Sequence, residues 1–306
     1  HLKRQVIVDQ FNRVMMNDKF IYTPKNFRND ELRQEQRATK RMLKNLQANG
    51  VALHYANPLG FCWRKLCARN HKKILLFDNN ISYIGGMNFS AHNFAWHDIM
   101  LRIENEAITQ FLRQDYQNSF NGKNIYTEKR FDDCQVVLLD GKQNHRGFKQ
   151  LFQRLAQAKR SIFIESPYIT FPFLNFLLNE VPRHVEINLI LPATNNWRLL
   201  KQYAEFENST KRVTLHFYPE RFTHVKALLI DDSQLVLGSS NFDYYSYTSH
   251  QEVLCFFENK ALIDDFISRV MTVDLYKCHT SENMQSKRWQ GFAASLLVKS
   301  IMRSTA

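Results

Sequence analysis

A chain of 306 residues with 44% hydrophobic and 23% charged residues belongs to a globular protein, not a disordered one, and is long enough for two core-bearing units. Its formal charge of +12 turns it toward anions: nucleic acid, an anionic membrane surface or a phosphorylated substrate. Five scattered cysteines (Cys62, Cys67, Cys134, Cys255, Cys278) exclude a disulfide framework and suit a reducing compartment, and no run approaches the roughly 18 apolar residues of a spanning helix.

In chain order, "RQVIVDQF" predicts a short buried strand. "NDELRQEQRATKRMLKNLQANG" predicts a helix, with acidic residues in its first turn and Gly50 as its stop. "VALHYANP" is the next strand, followed by strands near Ile74–Phe77 and Ser82–Ile84, the segment "WHDIMLRIE", and a helix from about Ala107 to Phe120. The polar, turn-rich "NGKNIYTEKRFDD" marks a boundary between lobes spanning 1–125 and 126–285. The second lobe reads as strand "VVLL", a helix around "GFKQLFQRLAQA", strands "SIFIES" and "VEINLILP", a helix near "NWRLLKQYAEFE", strand "VTLHFYP", then "QEVLCFF" and a closing helix. Residues 286–306 form a basic amphipathic tail helix. Alternating strands and helices predict an α/β fold of two similar lobes, each a sheet flanked by helices, with a site in the cleft between them. The second lobe has a helix and "SIFIESPYIT" ahead of "VEINLILP", whereas three residues precede "RQVIVDQF". The first lobe is therefore expected to lack an N-terminal strand and helix, and a start at His1 agrees.

The pseudo-symmetry shows most plainly in "HKKILLFDNNISYIGGMNF" (His71–Phe89) and "HVKALLIDDSQLVLGSSNF" (His224–Phe242), which share eight of nineteen columns. Residues i and i+2 of a strand share a face, so His71 projects with Lys73 and His224 with Lys226. An imidazole beside an ammonium suits a bound phosphate: the lysine neutralises charge while the histidine attacks or moves a proton. Asp78 and Asp231 lie in the turn sequences "DNN" and "DDS", and the turn role is the better reading of both. Asn88 and Asn241 follow the second strand of each copy, where an amide can donate to a phosphate oxygen. A working histidine also needs a carboxylate on its other nitrogen. Asp98, 27 residues after His71, and Glu252, 28 after His224, supply one per copy. Whether each acid serves its own lobe's histidine or the other's is open at this level.

Together these residues resemble the HxKx4D signature of the phospholipase D superfamily, written here as His71-Lys72-Lys73-(ILLF)-Asp78 and His224-Val225-Lys226-(ALLI)-Asp231. "RNHKKILLFDNNISYIGGMNFS", "WHDIMLRIE", "IFIESPYI" and "GSSNFDYYSYTSHQEV" look most like bacterial cardiolipin synthases, of the subclass lacking N-terminal membrane helices. The resemblance implies a catalytic set of His71, Lys73, Asp78, His224, Lys226 and Asp231. It also implies a covalent phosphatidyl-histidine, with His71 as nucleophile and His224 as acid, and no metal or cofactor. The implied partners are anionic phospholipids (phosphatidylglycerol, with phosphatidylethanolamine second) on the cytoplasmic face of a bacterial inner membrane, where the protein sits peripherally.

Two stretches are candidates for touching lipid. "LGFCWRKLCARN" (Leu59–Asn70) mixes Phe61, Trp63 and Leu66 with basic residues, and the tail helix places Trp289, Phe292, Ala293 and Leu296 on one side with Arg288, Lys299 and Arg303 available to phosphates. Val298 and Met302 fall off that face. The rival readings are a phospholipase D-type hydrolase or nuclease, for which nucleic acid would be the partner, and a non-catalytic phosphate binder.

Overall fold

The computed structural model describes residues 4–16, 19–195, 197, 199–280 and 288–304. The first lobe opens with β1 (Gln5–Asp9), a short hairpin β2 (Met15–Met16) and β3 (Lys19–Phe20), and one turn of helix α1 (Pro24–Phe27). Helix α2 (Asp30–Ala48) follows, its N-terminus capped by the Asn29 side chain, which accepts from the Leu32 N–H, with Asp30 and Glu31 against the helix dipole. Then come β4 (Ala52–Ala56), β5 (Ile74–Phe77), β6 (Ile81–Gly85), β7 (Met100–Glu104) and helix α3 (Glu106–Phe120), capped by Asn105.

The second lobe runs β8 (Thr127–Arg130), β9 (Cys134–Leu138), α4 (Asn144–Ala156), β10 (Ser161–Glu165), α5 (Phe173–Asn179), β11 (Glu186–Pro192), α6 (Leu199–Glu207), β12 (Thr214–Tyr218), β13 (Ala227–Ile230), β14 (Gln234–Gly238), α7 (Tyr244–Thr248), β15 (Val253–Phe257), α8 (Lys260–Phe266), α9 (Thr272–Lys277) and β16 (His279–Thr280). Helix α10 (Arg288–Ser304) follows. The polar stretch at the lobe boundary contains β8, an edge strand paired antiparallel with β9; its partner's backbone, not its own side chains, makes it a strand.

The second lobe forms one sheet in the order β16-β12-β11-β10-β13-β14-β15-β9-β8. β10, β11 and β12 are mutually parallel, and β10 meets β13 antiparallel, so β10 joins the parallel half to the antiparallel half. The first lobe repeats both halves, β1–β4 parallel and β5-β6-β7 antiparallel, as two separate sheets. Among the described residues nothing stands in the first lobe where β10 stands in the second.

Two apolar cores follow. One lies between the large sheet and α4, α5, α6 and α10, with Phe148, Leu151, Leu174, Leu189 and Phe217 essentially inaccessible. The other lies between the lobes: Ile84, Ile108 and Leu112 of the first pack with Val225, Ala227, Leu229, Leu237 and Val253 of the second. Burying this second layer removes from water the apolar faces that either lobe would otherwise expose, at about 25 cal/mol per Å2.

Helix α10 turns outward the apolar face that the sequence singles out as a candidate for touching lipid, Trp289, Phe292, Ala293 and Leu296. Gly291, Ala294, Ser295, Val298 and Met302 face the body; a side chain at Gly291 would strike Phe206 of α6. Trp289, Phe292, Leu296 and Leu297 are exposed. Lys299 is held by Glu207 at 2.7 Å, so it is not a spare cation, while the side chains of Arg288 and Arg303 lie outside those described.

Candidate active site between the lobes

Two short parallel contacts assemble the site. Asn70 bridges Gln251, with the His71 N–H donating to the Gln251 carbonyl at 2.9 Å; His97 bridges Thr223, with the His224 N–H donating to the His97 carbonyl at 2.7 Å. In each case the residue before a motif histidine lies beside the residue before the other lobe's acid. The acids therefore cross. His71 Nδ1 sits 2.9 and 3.1 Å from the Glu252 carboxylate oxygens, and His224 Nδ1 sits 2.6 Å from Asp98 Oδ2. The question left open by the sequence is answered by geometry: each acid orients the other lobe's histidine.

With Nδ1–H donating to a carboxylate, the lone pair of each neutral imidazole is on Nε2. Each carboxylate is itself held. Glu252 accepts from the hydroxyls of Ser239 and Ser246, and Asp98 accepts from the Ile99 N–H at 2.8 Å. Gly86 permits the second arrangement, because a Cβ there would collide with Asp98 Oδ1. A ring also lies over each histidine: His250 over His71 at 5.4 Å, and Trp96 over His224 at 4.8 Å. Phe222 packs in turn against Trp96, tilted, at 4.7 Å between centroids.

The lysines are arranged alike. Lys73 Nζ donates to the His71 carbonyl at 2.8 Å and Lys226 Nζ to the His224 carbonyl at 2.7 Å, both nearly inaccessible. Burial lowers Lys73 to about 7 and Lys226 to about 8, with Glu252 and Asp98 opposing the shift in both. Burial also lowers His71 to about 4 and His224 to about 3; Lys226 adds to the depression at His224. Glu252 and Asp98 are held below the usual carboxylate range: burial, the largest single effect, would raise them, but it is outweighed by His71, His250 and Lys73 together at Glu252 and by Lys226, His224 and the Ile99 N–H together at Asp98. Near neutral pH the site thus holds two neutral imidazoles, two carboxylates, a mostly cationic Lys226 and a Lys73 near the midpoint of its titration, a set that an arriving anion completes by favouring the charged lysines.

Asp231 lies at the far end of β13 and is not in this group. Its carboxylate accepts from the N–H groups of Lys159, Arg160 and Ser161, pinning the entry to β10. Asp78 occupies the equivalent exposed turn, and both have positive φ. Their inclusion in the catalytic set is corrected on this ground: a strand of four residues separates each from its histidine. Asn241 is buried with its Oδ1 unpartnered, and Asn88 is half-buried at the matching position. Sequence reasoning passed over Trp96, His250, Ser239, Ser246 and Gly86. Aligning "WHD" with "HQE" column by column would have exposed the ring two residues before each acid.

His71, His250 and Glu252 place one ligand atom each within 4.8 Å, but the Glu252 oxygens already take His71 and two hydroxyls, which leaves them poor ligands for a metal. His97, Glu165 and Asp274 form a second such group nearby.

Residues 3–120 and 151–271 match the family model described as "Cardiolipin synthase, PLD-like domain". Cardiolipin synthase 1 of Staphylococcus epidermidis is 29% identical over 217 residues, which is 61% of this chain and 44% of that protein. The minor cardiolipin synthase ClsB of Bacillus subtilis is 26% identical over 258 residues, 76% of this chain and 63% of that one. The matched region thus spans about half the length of these curated relatives. Among solved structures, phosphatidylserine synthase of Haemophilus influenzae superposes with a TM-score of 0.65 at 11% identity, covering 98% of this chain and 80% of that one. A polyphosphate kinase of Porphyromonas gingivalis gives 0.59 at 13%, covering 99% and 45%. The two structures share the fold.

Proposed function

We propose, from the premise that this chain belongs to the cardiolipin synthase family of phospholipase D-like domains, that it is the two-histidine core of a phosphatidyltransferase acting between phospholipids. The crossed His–carboxylate pairs around two buried lysines carry the proposal. His71 Nε2 attacks the phosphorus of a phospholipid, the P–O bond to the leaving alcohol breaks, and His224 gives that alkoxide its proton. The acceptor hydroxyl then returns a proton to His224 and attacks phosphorus, breaking the P–N bond and freeing His71. Lys73 and Lys226 hold the phosphoryl charge. His224 needs a second proton for the first step, and an anion seated on Lys226 relieves the repulsion that keeps the imidazole neutral in the empty site. His71 is the more accessible ring, its side chain 22% exposed against 4% for His224, as suits a nucleophile that must meet a bulky diester. In this reading Asn241 and Asn88 donate to phosphate oxygens.

The substrates of this reading are phosphatidylglycerol and, second, phosphatidylethanolamine, met at the cytoplasmic face of a bacterial membrane. The exposed apolar side of α10 and the Leu59–Asn70 loop, where Phe61 is 85% exposed, are the surfaces that would lie on it. No described helix is long and apolar enough to cross a membrane. The test is incubation with phosphatidylglycerol vesicles without added metal, reading cardiolipin and glycerol, with acid-quenched single turnovers probed for phosphohistidine. Cardiolipin and a labelled His71 are expected; phosphatidic acid alone would turn the reading to a hydrolase. No covalent intermediate from folded protein would remove it.

A further inference from the structure

Behind the His224–Asp98 pair lies a second polar cluster that the proposed chemistry does not use. Glu165, the last residue of β10, and Asp274 of α9 are both almost wholly inaccessible. Glu165 Oε1 accepts from the Thr223 hydroxyl, and Asp274 Oδ2 accepts from His97 Nε2 at 2.6 Å. One atom from each of Glu165, Asp274 and His97 fits within 4.8 Å, and the two carboxyl groups are in hydrogen-bonding reach of each other. Glu165 Oε2 has no donor in this arrangement. The titratable groups facing the pair are His97 and Asp98, Tyr218 of β12, and Lys277 and Cys278 at the end of α9.

Two touching, buried carboxylates repel one another and forgo hydration, so one of them takes up a proton or both take a cation. A proton on Glu165 Oε2 satisfies the whole cluster: it donates to Asp274, Oε1 still accepts from Thr223, and Asp274 still accepts from His97. Burial and the neighbouring Asp274 raise the Glu165 carboxyl well above its ordinary range, in agreement. The cluster's outer members flank the catalytic pair on both sides. His97 precedes Asp98, Thr223 precedes His224, and the two segments are tied by His224 N–H to His97 carbonyl at 2.7 Å and His97 N–H to Phe222 carbonyl at 3.0 Å.

We infer that Glu165 and Asp274 hold one proton between them at neutral pH and, through Thr223 and His97, act as positioning residues for the His224–Asp98 pair. The activity readout rests on the proposed function; two others do not. The full chain is compared with Glu165→Gln, which keeps a donor toward Asp274 and an acceptor for Thr223, and with Glu165→Ala, which keeps neither. An infrared difference spectrum, wild type minus Glu165→Gln at neutral pH, is expected to contain a carboxylic-acid C=O band; its absence overturns the shared proton. The imidazole N–H resonance of His224 is expected to stay in place in Glu165→Gln and to shift or broaden in Glu165→Ala. In transfer assays Glu165→Gln keeps kcat within about threefold, and Glu165→Ala loses about tenfold to a hundredfold in kcat with KM little changed. A Gln variant as damaged as the Ala variant, or one zinc per chain in the purified protein, overturns the proposal in favour of a cation held by two carboxylates. A wild type with the infrared band but no lipid turnover would count against the phosphatidyltransferase reading alone.

Discussion

The two lobes carry the same working parts on unequal scaffolds. In the second, β13 runs between β10 and β14 and all four of its residues are buried; in the first, β5 has β6 alone as a partner and none of its residues is fully buried. At the site the columns correspond one by one. Gly86 stands where Ser239 stands, Trp96 where His250 stands, His97 beside Thr223 where Gln251 lies beside Asn70, and Asp98 where Glu252 stands. Glu252 is one methylene longer and its carboxylate takes a hydroxyl from Ser239, whereas the shorter Asp98 comes so close to the backbone that only glycine fits beneath it. A duplicated strand frame thus holds two histidines symmetrically, while the residues around each make one accessible and the other enclosed.

That comparison can be broken most directly at the histidines. His71→Ala is expected to abolish turnover and phosphohistidine together, and His224→Ala to lower turnover by about a hundredfold to ten-thousandfold; equal, small effects would dissolve the division of roles. The crossed acids come next. Glu252→Gln should suppress trapping of the intermediate on His71, and Asp98→Asn should slow the step that needs a proton from His224, each by about a hundredfold or more. If each variant instead impaired its own lobe's histidine, the crossing would be wrong. Gly86→Ala should cost about tenfold in kcat by displacing Asp98, and Ser239→Ala less, because Glu252 keeps the Ser246 hydroxyl.

The pH profile gives a milder test. In the proposed mechanism Lys73 and Lys226 bind phosphate as cations, and burial brings them to about 7 and about 8, so kcat/KM should fall as pH rises through that window. In kcat the fall should lie at higher pH, since bound phosphate favours the charged lysines. The smallest contrast is in stability. Leu228→Ala, in fully buried β13, should cost about 2–5 kcal/mol, and Leu75→Ala, its half-buried counterpart in β5, about 1–2 kcal/mol less than that, read by chemical denaturation.

The strands, the capped helices α2 and α3 and the duplicated frame were legible because each depends on spacing within a dozen residues. So was the pairing of His with Lys, since i and i+2 share a strand face. The outward face of the tail helix was legible for a reason of the same kind. Its inward face needed a partner: the groove along α6 selects the narrower side containing Gly291, Ala294 and Val298, where helices can approach closely. Edge strand β8 was hidden because its polar residues gain strand structure from β9 alone.

By itself, then, the sequence determined that there are two lobes, which residues could bear on a phosphate, and that an acid accompanies each histidine, because local periodicity and repeated order encode those things. It could not determine partnership. Glu252 is 181 residues from His71 and Asp98 is 126 from His224, and no local rule relates such positions. Only the closing of one lobe's strands against the other's, driven by the apolar layer between them, decided that the acids cross and that Glu165 and Asp274 meet behind His224.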